Sequence, residues 1–265
     1  MVRTVFTMAE DCARGQQRGW LEFVRDYRDI ARRLLLNYFP ALEPEIGQHL
    51  IALFRRARDS AWFQGLVFAN EREFLMAFRD LAFAYGREAA RLPAPAAISV
   101  EKYVDVTKDL SLVEREMLWL WLKGYDAGQI GSMVANAAAT ARAVQGIAEQ
   151  RLAQVLPGTG VDVLRAAVVQ LLEAASKTKS DQCLPWKTFN NLVNGQTSWR
   201  ERELAEAHIK DCLNCLDRFT SFQEMIRLRK DAQPASEAEI NPVLAELGLA
   251  HTGSRGLLSR LFSRD

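Results

Sequence analysis

Apolar residues recur along most of this chain at three- and four-residue steps, the spacing that lines side chains along one face of an α-helix. Trp20, Phe23, Val24, Tyr27, Ile30, Ala31, Leu34 and Leu35 make the first such stripe. Ile46, Leu50, Leu53, Phe54 and Ala57 make a second, and Phe74, Phe78, Leu81, Ala82 and Tyr85 a third. Asn70 with Glu73 three residues on is a start signal for the third, because the asparagine oxygen can take a free N–H of the first turn. The run LPAPAAIS at 92–99 then breaks the period, since prolines and the residues before them resist helix. A helical domain over 1–92 is expected to end there.

The next block opens at Ser111 and Glu114, a capping-box spacing, and runs through Met117, Leu120 and Trp121 to Gly124, a glycine of the kind that ends helices. Asp126 and Gln129 cap a short second helix, and a third runs from about Ala138 to Val155. Three helices with a short middle one predict a helix-turn-helix domain over 108–156. After the break at 156–160, a connecting helix and polar joint occupy 161–182 and a small module 183–230. The stretch 231–265 reads as a linker and a short basic amphipathic tail, built on Leu257, Leu258, Leu261 and Phe262. Strand-like alternation is lacking, so the predicted fold class is all-α.

Composition adds limits. The 34 basic and 33 acidic residues of this 265-residue chain nearly cancel, so any contact with nucleic acid must be local. No apolar run approaches the roughly 20 residues that span a bilayer and the N-terminus carries no secretory pattern, which predicts no integral membrane segment and a cytoplasmic location. There disulfides are disfavoured, and the four cysteines read better as thiols or metal ligands. No Ser-His-Asp, paired-carboxylate or Gly-rich phosphate signature emerges, so an enzyme is not expected. Cys12, in a polar N-terminal stretch, reads as a spare thiol; His49 reads as a solvated side chain and His251 as a loop residue.

The chemistry concentrates near the end. His208, Cys212 and Cys215 fall at i, i+4 and i+7, on one side of a helix or its frayed end, and Cys183 is the one other cysteine near them. Three thiolates and an imidazole make a full tetrahedral set, which predicts a structural zinc rather than a catalytic one. Trp186, Phe189, Asn190 and Val193 form a helical stripe ended by Gly195, and Ser198 with Glu201 caps the helix that delivers His208.

Segment 183–216, CLPWKTFNNLVNGQTSWRERELAEAHIKDCLNCL, resembles the zinc-binding anti-sigma factors, whose pattern joins an upstream Cys or His to a later His-x-x-x-Cys-x-x-Cys. The resemblance gives Cys183, His208, Cys212 and Cys215 the ligand role in a module that clamps a sigma factor, sometimes redox-sensitively. Residues 16–92 resemble the promoter-melting domain of extracytoplasmic-function sigma-70 factors, and residues 110–156 their minus-35-reading domain. The comparison implies polymerase docking through Glu45 and Gln48, and promoter contact through Thr140, Arg142, Gln145 and Arg151, with Gln150 as a further polar position. Departures fall on contact positions: Leu42 and His49 in the docking helix, Ala77 where the family has an aromatic, and Phe83-Ala84 in place of an arginine-asparagine pair. The implied function is a transcription regulator that binds core RNA polymerase and promoter DNA, with its zinc domain acting in cis. The other reading is a sigma-like scaffold or anti-sigma-type regulator that no longer binds DNA and engages another sigma or anti-sigma factor.

Overall fold

The computed structural model describes residues 4–90, 100–155 and 161–249, with the backbone alone at 100, 148, 151–155 and 161–168. The breaks at 92–99 and 156–160, His251 and the amphipathic tail lie outside the described residues, as does the side chain of Arg151.

All regular structure among the described residues is helical. In chain order the helices are α1 (Val5–Ala13), α2 (Gln17–Tyr38), α3 (Ile46–Asp59), α4 (Glu71–Ala89), α5 (Val100–Thr107), α6 (Leu112–Leu122) and α7 (Ala127–Met133). They continue with α8 (Ala138–Val155), α9 (Val161–Lys177), α10 (Trp186–Val193), α11 (Trp199–Asp211), α12 (Leu213–Asp231) and α13 (Glu237–Glu246). No helix among the described residues is long and apolar enough to cross a membrane.

The start signals work as local chemistry requires. Asn70 accepts from the Glu73 N–H, and the Ser111–Glu114, Asp126–Gln129 and Ser198–Glu201 boxes are all closed, each offering partners to otherwise free N–H groups. Gly124 follows α6 at φ +98°, and a Cβ there would also lie 2.7 Å from the Asn37 carbonyl oxygen. Only glycine fits both demands.

Three features differ from the expectation. Residues 5–13 and 100–107, where the apolar spacing singles out no helix, form α1 and α5, and Cys12 is buried at 4% exposure. Residues 237–246, read as linker, form α13: the Ser236 N–H and hydroxyl both donate to the Glu239 carboxylate at its start, and Ile240, Val243 and Leu244 are buried where it meets α3. Their apolar spacing is short and contains Pro242, which hid the helix from a periodicity reading.

The chain divides into two compact units. Among the described residues the first comprises 4–32, 45–67 and 232–249, and the second 33–44, 68–90, 100–155 and 161–231. The first is built on an aromatic cluster in which Phe23 meets Phe54 at 5.1 Å and Phe63 at 4.9 Å, edge to face. Trp20 packs on Phe63 at 5.4 Å while its indole N–H donates to the Cys12 carbonyl. The lead-in to α13 is fixed by the Ala235 N–H on the Arg25 carbonyl at 2.8 Å, and Glu239 pairs with Arg28.

The second unit is organised by α12, which packs on α4, α6, α9, α10 and α11. Cys215, Leu216, Phe219, Phe222, Met225 and Leu228 are buried, and α6 is buried at every residue from Arg115 to Leu122. The segment expected as a separate small module is thus part of a larger helical core.

Candidate metal centre

Cys183 sits in the turn before α10, Cys212 between α11 and α12, and Cys215 in the first turn of α12. Their sulfurs lie within 4.8 Å of one another, an arrangement able to hold a metal ion, and Cys183 Sγ is 4.0 Å from Cys212 Sγ. The imidazole of His208, in the last turn of α11, meets the cluster at one corner, with Nε2 3.2 Å from Cys215 Sγ. The expected single helical face over 208–215 is broken. Cys212 takes extended backbone, φ −109° and ψ 105°, so α11 stops and α12 starts afresh. That kink, rather than helical periodicity, turns Cys212 and Cys215 toward Cys183.

Backbone donors surround the sulfurs. The Ser180 N–H points at Cys183 Sγ at 3.3 Å and the Leu184 N–H at Cys215 Sγ at 3.4 Å. Partial burial works against ionisation of Cys183, but the Ser180 backbone and hydroxyl, with the neighbouring thiols, hold it below the ordinary thiol value. Burial pushes Cys215 up to about 12; the Leu184 N–H opposes this, and the sulfurs of Cys212 and Cys183 add to it. Three thiolates this close repel one another, and a cation among them is what lets all three ionise together. Arg218 braces the approach: its guanidinium lies over Trp186, 4.1 Å from the ring centroid, and donates to the Leu184 carbonyl at 3.0 Å.

The other residues singled out from the sequence are not drawn into this cluster. Glu45 and Gln48 are both exposed at the start of α3, in the first unit. Thr140 and Arg142 are exposed on α8, whereas Gln145 is half-buried and donates to Glu149 at 2.9 Å. Gln150 is exposed.

Sequence reasoning missed a buried ionic network one turn beyond the cysteines. Lys123, fully buried, reaches Asp217 at 3.0 Å, Ser221 at 2.8 Å, Thr220 at 3.2 Å and Glu224 at 3.6 Å. Arg79 pairs with Asp217 at 3.4 Å, Trp119 donates to Asp217 at 3.0 Å, Tyr38 to Glu224 at 2.8 Å, and Tyr125 also donates to Glu224. Burial lowers the Lys123 pKa against the pull of Asp217 and Glu224. Burial alone would raise Asp217; Lys123 and Arg79 outweigh it and bring that carboxyl down to about 2. The detectable signal was Asp217, Thr220, Ser221 and Glu224 on one face of α12, polar where the period demands apolar.

No family model, curated protein or solved structure matches this chain. What defines the protein is therefore its all-helical architecture and a three-cysteine cluster able to hold a metal ion.

Proposed function

We propose that this protein is a metal-stabilised transcription regulator of sigma-like organisation, in which a zinc ion on Cys183, His208, Cys212 and Cys215 sets the geometry of α12. The observation that carries the reading is the convergence of Cys183 with the distant pair Cys212 and Cys215 on one point at the start of that helix. Zinc–sulfur bonds of about 2.3 Å at tetrahedral angles put sulfurs roughly 3.8 Å apart. The 4.0 Å between Cys183 and Cys212 agrees, and in this reading His208, which touches the cluster only at Cys215, swings in as the fourth, borderline donor when the ion binds. A full set of protein ligands leaves no open position, so the ion is structural.

The packing of α12 supports regulation in cis. The helix that leaves the cysteines is clamped through Asp217 and Glu224 to Lys123 beyond α6 and to Arg79 of α4. By the sequence resemblance, α4 corresponds to the promoter-melting helix, and α6 to α8 to the minus-35 reader. Zinc loss or thiol oxidation would loosen the start of α12 and with it this clamp. Glu45 and Gln48, exposed on α3, are the polymerase-docking residues of this reading.

The experiment is to purify the chain with and without Cys212→Ser, measure zinc per chain, and measure binding to core RNA polymerase. The reading requires about one zinc in the parent, its loss in the variant, and polymerase binding by at least one form. Binding by neither form sinks the sigma-like assignment. A second reading, a protein-interaction scaffold or anti-sigma-type regulator, is favoured by α8: Gln145 is engaged with Glu149, and a carboxylate on that helix repels phosphate. Promoter-fragment affinity that falls steeply with salt supports the first reading, and absence of binding at low salt supports the second.

A further inference from the structure

The second unit carries a half-open cavity of about 500 Å³ between α4, α9, the start of α10 and the first turns of α12. Small-molecule sites span ~300–1,000 Å³. None of the four candidate metal ligands lines it. Its apolar lining comes from Met76, Phe83, Ala84 and Leu172, so two of the departures from the sigma pattern, Phe83 and Ala84, are here cavity wall.

Its charges are unevenly satisfied. Four cations line the cavity against three carboxylates. Arg79 is taken by Asp217 and Asp80, and Arg87 by Glu173 at 2.8 Å. Lys179 and Arg218 make no close ion pair with a carboxylate among the described residues, although the charge of Arg218 is felt by Asp80. Arg218 is held in place by Trp186 and the Leu184 carbonyl, so it presents its charge with little orientational freedom to lose. A separate observation asks for a ligand. Asn214, also lining the cavity, is 6% exposed; its amide N–H donates to the Ala175 carbonyl at 3.0 Å, but its Oδ1 is buried without a donor. Buried acceptors are normally satisfied, and an N–H or O–H brought in from outside would do it.

We propose that this cavity binds a small organic anion: a carboxylate or phosphate on an apolar body that also carries an N–H or O–H donor. The head is held by Lys179 and Arg218, the donor by Asn214 Oδ1, and the body by Phe83 and Leu172. The site is independent of the regulator reading, and it would give the second unit an input other than its metal.

Isothermal titration of the full, zinc-loaded chain tests this with four probes: indole-3-acetate, 1-naphthylacetate, AMP and inorganic phosphate. Indole-3-acetate or AMP should bind with a Kd below about 1 mM. Naphthylacetate, of similar shape but lacking the N–H, should bind at least about fivefold more weakly than indole-3-acetate, and phosphate more weakly than AMP. If AMP binds and indole-3-acetate does not, the head is a phosphate; the reverse identifies a carboxylate. Lys179 is exposed and unpaired, so Lys179→Met and Lys179→Glu should fold as the parent does and weaken binding about tenfold or more. The proposal is overturned if neither indole-3-acetate nor AMP binds, if naphthylacetate matches indole-3-acetate, or if both Lys179 variants keep parental affinity.

Discussion

Glu116 shows how one side chain can tie the fold to pH. It is 5% exposed on α6; burial first, with Glu206 adding, raises its carboxyl to about 7 against the opposing hydrogen bond from Gln223. A carboxyl whose folded value lies above its unfolded value favours folding while protonated, and that contribution fades as pH climbs from about 4.5 through 7. Gln223 donates to Glu116 at 3.3 Å while its own Oε1 has no donor. Glu116→Gln supplies one permanently. The variant should be more stable than the parent by about 1–3 kcal/mol at pH 8 and nearly equal at pH 4, read from urea midpoints at each pH. Asp217 runs the other way. Its folded value of about 2 lies below the ordinary 3.8, so its contribution of about 2 kcal/mol is whole above pH 4 and lost as pH falls through 2. Lys123→Met would leave the buried Asp217 and Glu224 with only the more distant Arg79 to balance them, and should cost about 3–5 kcal/mol in the same denaturation assay. A loss under 1 kcal/mol would mean that water or Arg79 alone carries those carboxylates.

Among the elements, legibility followed the locality of the signal. Asn70, Ser111, Asp126 and Ser198 announced α4, α6, α7 and α11 because a cap is written within four residues and needs no tertiary partner. The cysteine cluster was legible for a similar reason, since ligand type and spacing survive in one dimension. The Cys212 kink was not, because an extended residue between two helices has no composition of its own. Nor was α13, whose first-turn chemistry at Ser236 and Glu239 was there to read but was masked by its short apolar set and Pro242. Ser236→Ala removes that cap, and should lower stability by about 1 kcal/mol with the transition broadened for the first unit. The check is hydrogen exchange, in which amides of 239–246 lose protection and those of α12 do not.

For the molecule as a whole, the cysteine cluster and the ionic clamp meet on one helix. Anchoring at Cys212 and Cys215 fixes the helical register that brings Asp217 and Glu224 to Lys123. A strong chelator, or Cys212→Ser, should therefore lower the unfolding midpoint of the second unit by far more than loss of a surface loop would, since metal affinity there is folding free energy. If calorimetry shows the same midpoint with and without chelator, the cluster holds no structural ion. The division into two units could not be read from the sequence, because each is assembled from separated stretches: composition changes mark where a chain breaks, not where it returns.

That return orders events in time. α3 leaves the ribosome well before α13, which covers it and follows only after about 180 further residues. At ~5–20 residues per second, α3 waits roughly 10–30 s with an apolar flank uncovered, while the second unit has its helices in hand up to α12. Synthesis thus favours completing the cysteine-bearing half before the half that began first, and a nascent chain halted near residue 235 should be held by chaperones through the very surface that Ile240, Val243 and Leu244 would otherwise close.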